Sequence, residues 1–303
     1  MAHRKTPLQI ESLLTGAQLP ALPHSALRLL QLSQDPDNGP AEFAVPIEAD
    51  PGLTGQVLKF VNSSYFGFSR EVSSIKLAIT LVGIRTIKNF SLWSAVFSLM
   101  PNPKCGPFDL RSLWQDSLRR GLFARAMGRL LGQVESEDLF AAALLQDMAL
   151  PLLAKELPEE YVRLFQARQG GRTRLSQLEQ ERFGWTHAQA GSIVAAKWSL
   201  PETFGHLIEG HARFEEMVSE GASPGEVAVS LSALLPSVQD SVWHEREQFI
   251  DAYRQLTGHA ESELVPLLED IDKSFEEFAP VLKLGTPAQS LVANLERTEP
   301  ATA

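Results

Sequence analysis

The sequence carries LFAAALLQD at residues 139–147, seven apolar residues followed by Gln146 and Asp147. Such a run favours a helix that is buried on all sides and ends at the polar pair. There the Asp147 carboxylate meets the negative end of the helix dipole, which costs a few tenths to about 1 kcal/mol. A histidine at position 146 would complete a His-Asp pair suited to a divalent metal, whereas a neutral amide is a poor ligand for transition metals.

Two interpretations of Asp147 stay open from the residues alone. It is either a buried structural carboxylate, hydrogen-bonded to backbone amides, or one ligand of a metal site. His187, at the start of a predicted helix, and His211, at the end of the following one, could complete a partial ligand set. Each histidine could equally be a hydrogen-bonded core residue, because intermediate burial is ordinary for this side chain.

Composition narrows the class of protein. The chain has 303 residues, 44% of them apolar and 21% charged, which is typical of a globular protein with a real core. Its net charge of −10 argues against a broad surface for nucleic acid. The single cysteine, Cys105, allows no internal disulfide. No signal peptide or 18-residue apolar run is apparent, so we expect a cytoplasmic protein that does not insert into membranes.

Helical periodicity dominates, and we expect an all-α fold. Predicted N-caps are Asp50 ahead of Pro51, Ser74, Thr186 and Ser223, and Ser176 with Glu179 has the spacing of a further capping box. A segment rich in proline and glycine at 100–107 predicts a linker. We therefore expect an N-terminal helical lobe at 8–100, a second helical core at 108–215, a C-terminal helical extension at 216–296 and a disordered tail at 297–303.

Short motifs across roughly residues 15–215 resemble, in order, the HDOD family, the HD-related output domains of bacterial signalling proteins. The motifs that carry this resemblance are LPALP at 19–23, DPGL at 50–53, VNSSYFG at 61–67, VSSI at 72–75, LVGIR at 81–85, LWQDS at 113–117, LLQD at 144–147, FGWTH at 183–187 and WSLP at 198–201. The resemblance implies an HD-like helical core. It also implies the ligand positions of the wider HD phosphohydrolase superfamily.

Those positions are only partly filled. Asp147, His187 and His211 match, while Asp116 stands at the first histidine position and Gln146 replaces the histidine of the pair. The helix that begins near Glu226 supplies no late aspartate, and Ser232 is nearest. The resemblance therefore implies a vestigial site without metal, cofactor or catalysis. We expect a noncatalytic regulatory module that binds a signalling protein, or a small ligand, in a groove between the lobes.

Alternatives stay open for the HD-like site and for three other surfaces. A phosphohydrolase with an altered set of ligands, Asp116 among them, is one alternative function, and a nucleic-acid-binding regulator using the basic segment 70–89 is another. Arginines 168, 172 and 174 around a Gly-Gly pair could receive a phosphate or form an ordinary polar loop. A heptad-like seam predicts either a partner or homodimer surface or packing on the helix near Phe249. Its residues are Leu264, Leu268, Ile271, Phe275, Phe278 and Leu282.

Overall fold

The computed structural model describes residues 9–16 and 19–297. All regular secondary structure in these residues is helical. The first six helices are α1 (Ile10–Gly16), α2 (His24–Leu32), α3 (Pro40–Glu48), α4 (Pro51–Val61), α5 (Ile75–Val82) and α6 (Ile84–Leu99). Eight follow the proline-rich connection: α7 (Leu110–Leu130), α8 (Ser136–Leu145), α9 (Leu150–Glu156), α10 (Pro158–Ala167), α11 (Leu175–Phe183), α12 (His187–Lys197), α13 (Glu202–Gly210) and α14 (Phe214–Ser219). The last are α15 (Pro224–Ser232), α16 (Arg246–Thr257), α17 (Glu261–Phe278) and α18 (Leu291–Glu296). Two 3-10 turns complete the set, Gln169–Gly171 and Ala279–Leu282. The all-α prediction is confirmed.

Side-chain caps fix where several helices begin. Asp50, Ser74, Thr186 and Ser223 each accept a hydrogen bond from the backbone N–H three residues on, as predicted. The capping box at Ser176 is wrong. That residue lies inside α11, which begins one residue earlier without a side-chain cap, and Glu179 turns toward another helix instead.

Helices α7 and α8 form the centre of the fold and approach each other closely. Gly121 and Gly128, two turns apart on α7, face α8, and a Cβ at either would lie within 3 Å of a leucine side chain. Helices α13, α15 and α17 pack around this pair. Because α8 is enclosed, the turn at its C-terminal end, which carries Gln146 and Asp147, lies inside the protein.

The predicted seam of α17 is an internal packing surface. Leu264, Leu268, Ile271, Phe275 and Phe278 are all buried, and only Leu282, in the second 3-10 turn, is half-buried. Their helix packs mainly on α7 and also contacts α16 and α18. The partner-binding assignment of these residues is corrected accordingly: a hydrophobic seam already covered by its own chain offers no free face.

Buried apolar residues from all three predicted regions belong to one continuous core. The division into lobe, core and extension therefore remains a prediction. The tail expected at 297–303 lies outside the described residues, apart from residue 297. Within the described ranges, no helix has the length and apolar character needed to cross a bilayer.

Candidate functional site

Three side chains from separate elements meet at the end of α8. Asp147 lies in the turn after α8, His187 is the first residue of α12, and His211 follows the last residue of α13. Oδ1 of Asp147 lies 3.2 Å from Nε2 of His187 and 3.5 Å from Nε2 of His211, and the two Nε2 atoms are 3.2 Å apart. All three side chains are buried. The sequence-predicted trio is thus brought together in space.

Arg120 completes this cluster and was missed at the sequence level. It lies on α7, is largely buried, and its Nη1 donates a hydrogen bond to Oδ2 of Asp147. Burial alone would raise the pKa of the Asp147 carboxyl, but the Arg120 guanidinium and the hydrogen bond from His187 hold this pKa well below its usual value. The buried carboxylate is therefore paired with side-chain cations, and neither of the two sequence interpretations had named that partner.

A second missed residue, Glu179, fixes the orientation of His187. Its Oε2 accepts from the backbone N–H of His187 at 2.8 Å and lies 2.6 Å from Nδ1 of the ring. Its Oε1 accepts from the Tyr161 hydroxyl at 2.7 Å. Glu179 and Tyr161 are completely buried, so these hydrogen bonds replace all contact with water.

In both histidines the ring nitrogen Nδ1, which points away from Asp147, faces a group that can only accept a hydrogen bond. Nδ1 of His211 lies 2.5 Å from the carbonyl of Ile208, and Nδ1 of His187 faces Glu179. Both Nδ1 atoms therefore carry protons. Burial would lower the pKa of His187, but Glu179 and Asp147 outweigh it and raise this pKa to about 10. Burial also lowers the pKa of His211, and here it prevails over Asp147. Without a metal, His187 is the cation and its Nε2–H donates into the cluster, toward Asp147 and the neutral His211.

The other two predicted positions lie apart from this convergence point. Asp116 accepts a hydrogen bond of 2.6 Å from the Ser237 hydroxyl and one of 2.8 Å from the backbone N–H of Val238. Gln146 is completely buried and its Oε1 lies 3.3 Å from the hydroxyl of Ser232. Asp116 is thus bonded to the loop after α15, and Gln146 lies near the end of α15.

The trio fits one divalent ion in its spacing. Asp147, His187 and His211 form the cluster of potential metal ligands found among the described residues. A cation equidistant from Oδ1 and the two Nε2 atoms would lie about 2 Å from each, the usual length of zinc–nitrogen and zinc–oxygen bonds. The hydrogen bonds at Nδ1 of both histidines are typical of ligands held by outer partners. Asp116 and Gln146 do not extend the set to a second ion.

A cavity of about 480 Å³ opens beside the trio. All its lining residues fall between Pro107 and Glu245, so it is not the groove between the first two predicted lobes. Arg168 and Arg174 line it, paired with Asp240 at 2.8 Å and with Glu245 at 3.7 Å. The arginines of the Gly-Gly loop thus belong partly to the wall of this cavity.

The basic segment at 70–89 is exposed only in part: Arg70, Lys76 and Arg85 are exposed, while one face of α6 is buried. Helix α6 buries Ile87 and Phe90 in the core. Arg85 pairs with Asp138 at 3.6 Å, and burial lowers the pKa of Lys88.

Comparison with known proteins places this helical, HD-like fold in a family. The HDOD domain profile matches residues 19–214, about two thirds of the chain, and the chain belongs to the HDOD family. A solved HDOD domain protein of unknown function from Geobacter sulfurreducens is 22% identical, with a TM-score of 0.72 over 91% of this chain and 97% of that one. A candidate phosphohydrolase from Shewanella amazonensis SB2B is 21% identical, with a TM-score of 0.68 over 89% of this chain and 98% of that one.

Two further relatives differ in length from this chain. A candidate signal transduction protein from Marinobacter aquaeolei VT8 is 18% identical, with a TM-score of 0.66 over 94% of this chain and 62% of that one. An uncharacterized protein from Treponema pallidum (strain Nichols) is 24% identical over 64% of this chain, which covers 37% of that protein. The likeness to the solved structures shows the fold and not the activity.

Proposed function

We propose that this HDOD protein is a noncatalytic regulatory module that binds a signalling protein through the cavity beside Asp147. The observation that carries the proposal is the ion pair between Asp147 and Arg120. The only carboxylate in the convergent trio already has a permanent cation on one of its oxygens. A metal ion lowers the pKa of a bound water, and a guanidinium does not. The ion pair therefore stabilises the fold and does not activate water for hydrolysis.

The cavity supports the binding half of the proposal. Its wall carries three arginines, Arg120, Arg168 and Arg174, each held in place by an acidic partner. Side chains fixed in this way form a preorganised surface, which reduces the entropy lost on binding. Gln239 is exposed and also lines the cavity, so a side chain at this position can contact a protein bound at the cavity.

A metal-dependent phosphohydrolase is a second candidate, favoured by the spacing of the trio. Asp147, His187 and His211 would hold the ion, which when bound would polarise a phosphoryl oxygen or a water. The test is an assay with p-nitrophenyl phosphate, bis-p-nitrophenyl phosphate and cyclic dinucleotides in the presence of Mg²⁺, Mn²⁺ or Zn²⁺. We expect no turnover above that of Asp147→Asn. Metal-dependent turnover by the wild type that is absent from Asp147→Asn would reject the noncatalytic proposal.

Binding is tested separately in the native cell. A photo-crosslinking amino acid at position 239 should capture a defined partner protein, and the same group at the highly exposed Val134 should not. Addition of Arg168→Gln, which alters the cavity wall, should reduce the capture from position 239. Equal capture from both positions, or no capture from position 239, would contradict binding at this cavity.

A further inference from the structure

The two carboxylate oxygens of Asp147 face different cation positions. Oδ1 faces the point on which the Nε2 atoms of His187 and His211 converge. Oδ2 accepts the hydrogen bond from Arg120. One carboxylate is therefore shared by an ion-sized position and by a guanidinium that the chain itself supplies.

The convergence point has the donors of a metal site, but its one carboxylate is already ion-paired. Asp147 is the one anion of the trio, and Arg120 already balances it. The side chain of Asp147 is only 4% exposed and that of Arg120 15%, so water screens their interaction poorly. A divalent ion at the trio would lie close to a fixed positive charge on the far side of the same carboxylate.

Arg120 is also held in place by its position on the fold. It lies one helical turn after Asp116 on α7, and both side chains line the cavity. Asp116 is committed to Ser237 and Val238. Arg120 also interacts electrostatically with Asp116, but its hydrogen bond is to Asp147, and loss of that bond would leave a buried carboxylate without its arginine partner.

We propose that Arg120 is the resident cation of this site and suppresses the binding of a divalent metal by Asp147, His187 and His211. The inference rests on the proposed function, since both depend on the ion pair between Arg120 and Asp147. It adds a specific consequence: the latent ligand set becomes a site for one ion when the guanidinium charge is removed.

The test measures metal affinity rather than activity. Untagged, EDTA-treated protein is titrated with Co²⁺ while visible absorption is recorded, and Zn²⁺ affinity is measured by calorimetry. We expect Arg120→Gln to bind one ion per chain at least about tenfold more tightly than the wild type, because it removes the opposing charge. Addition of His187→Ala to Arg120→Gln should abolish the gain.

Two variants serve as matched controls. Arg168→Gln removes a cavity arginine that pairs with Asp240 instead of Asp147, and its metal affinity should equal that of the wild type. Arg120→Lys keeps the charge, and its affinity should stay near the wild-type value. If Arg120→Gln does not fold, the wild type and Arg120→Lys still decide, because tight stoichiometric binding by either would overturn the inference.

A folded Arg120→Gln protein without any gain in affinity would overturn it as well. These failures differ from failure of the proposed function. A wild-type protein that binds metal tightly but turns over no phosphodiester would overturn only the resident-cation role. Metal-dependent turnover by the wild type would reject the noncatalytic function.

Discussion

The carboxylate of Glu179 lies 2.6 Å from Nδ1 of His187, and both side chains are buried. This pair joins α11 to the start of α12 and turns the opposite ring nitrogen of His187 toward Asp147. Glu179 therefore controls both the orientation and the charge of the histidine. Its own position is fixed by the hydroxyl of Tyr161.

Replacement of Glu179 by glutamine should destabilise the protein by about 3–5 kcal/mol, because it removes one partner of a buried charged pair. It should also lower the pKa of His187, since Glu179 is the larger of the two influences that raise it. Urea unfolding and NMR titration of the imidazole check the two effects. The control is Glu181→Gln, an exposed neighbour on α11, which should change the free energy of unfolding by less than about 0.5 kcal/mol. An unchanged His187 titration in a folded Glu179→Gln protein would contradict the assignment.

Stability of the metal-free protein should fall as the pH rises from about 6.5 to about 10. The pKa of His187 is raised to about 10 in the folded state, so folding favours its protonated form. That contribution is fully present below the unfolded-state pKa of about 6.5 and is lost as the pH passes through the folded-state value. Urea unfolding from pH 6 to pH 10 in the presence of EDTA measures the loss. His187→Gln should flatten this part of the profile, and an equally steep profile in that variant would assign the loss to other groups.

The sequence predicts the parts of this site that follow local rules. Thr186 caps α12 as expected, which places His187 at the first turn, and the apolar run before Gln146 is buried as expected. Asp147, His187 and His211 could be proposed from their spacing and from the family resemblance. Their convergence in the structure depends on how α8, α12 and α13 pack.

The residues that sequence reasoning missed act through long-range contacts. Asp116 and Arg120 are four residues apart on α7, where a local ion pair is the natural expectation. Instead, Arg120 donates to Asp147 and Asp116 accepts from Ser237. The spacing of Ser176 and Glu179 predicts a capping box, but Glu179 instead contacts His187 eight residues later. Only tertiary packing decides between such alternatives.

Replacement of Gln146 by methionine should leave the stability unchanged or raise it by up to about 1 kcal/mol. Gln146 is completely buried, and its Nε2 has no hydrogen-bond partner among the described residues. The single hydroxyl proton of Ser232 lies with the carbonyl of Val229, 2.6 Å away, and leaves little for Gln146 at 3.3 Å. Methionine has a similar shape without the unsatisfied amide. A loss above about 1 kcal/mol in urea unfolding would show that the amide is satisfied in solution.

Leu268→Ala on α17 should cost about 2–5 kcal/mol without changing the mass of the particle in solution. Leu268 is completely buried within the seam that faces the protein's own core. The substitution leaves a cavity there and removes no exposed contact surface. Urea unfolding measures the cost, and light scattering measures the mass. A folded variant whose mass is half that of the wild type would restore the seam as a dimer surface.

The approach of α7 to α8 should make Gly121→Ala destabilising by about 1–3 kcal/mol, as overpacking does in a tight core. A Cβ at Gly121 would lie 2.9 Å from the side chain of Leu144 and 3.1 Å from the carbonyl of Phe140. Backbone on one side limits how far the contact can relax. Gly55→Ala is the matched control, because Gly55 lies inside α4 with nothing within 4 Å of its Cβ position. Alanine there should be neutral or stabilise the helix by up to about 1 kcal/mol.

Since α8 leads directly into Asp147, Gly121→Ala should also perturb the His187 and His211 resonances, while Gly55→Ala should leave them unchanged. Equal effects of the two alanines on stability and on these resonances would contradict the close packing of α7 on α8.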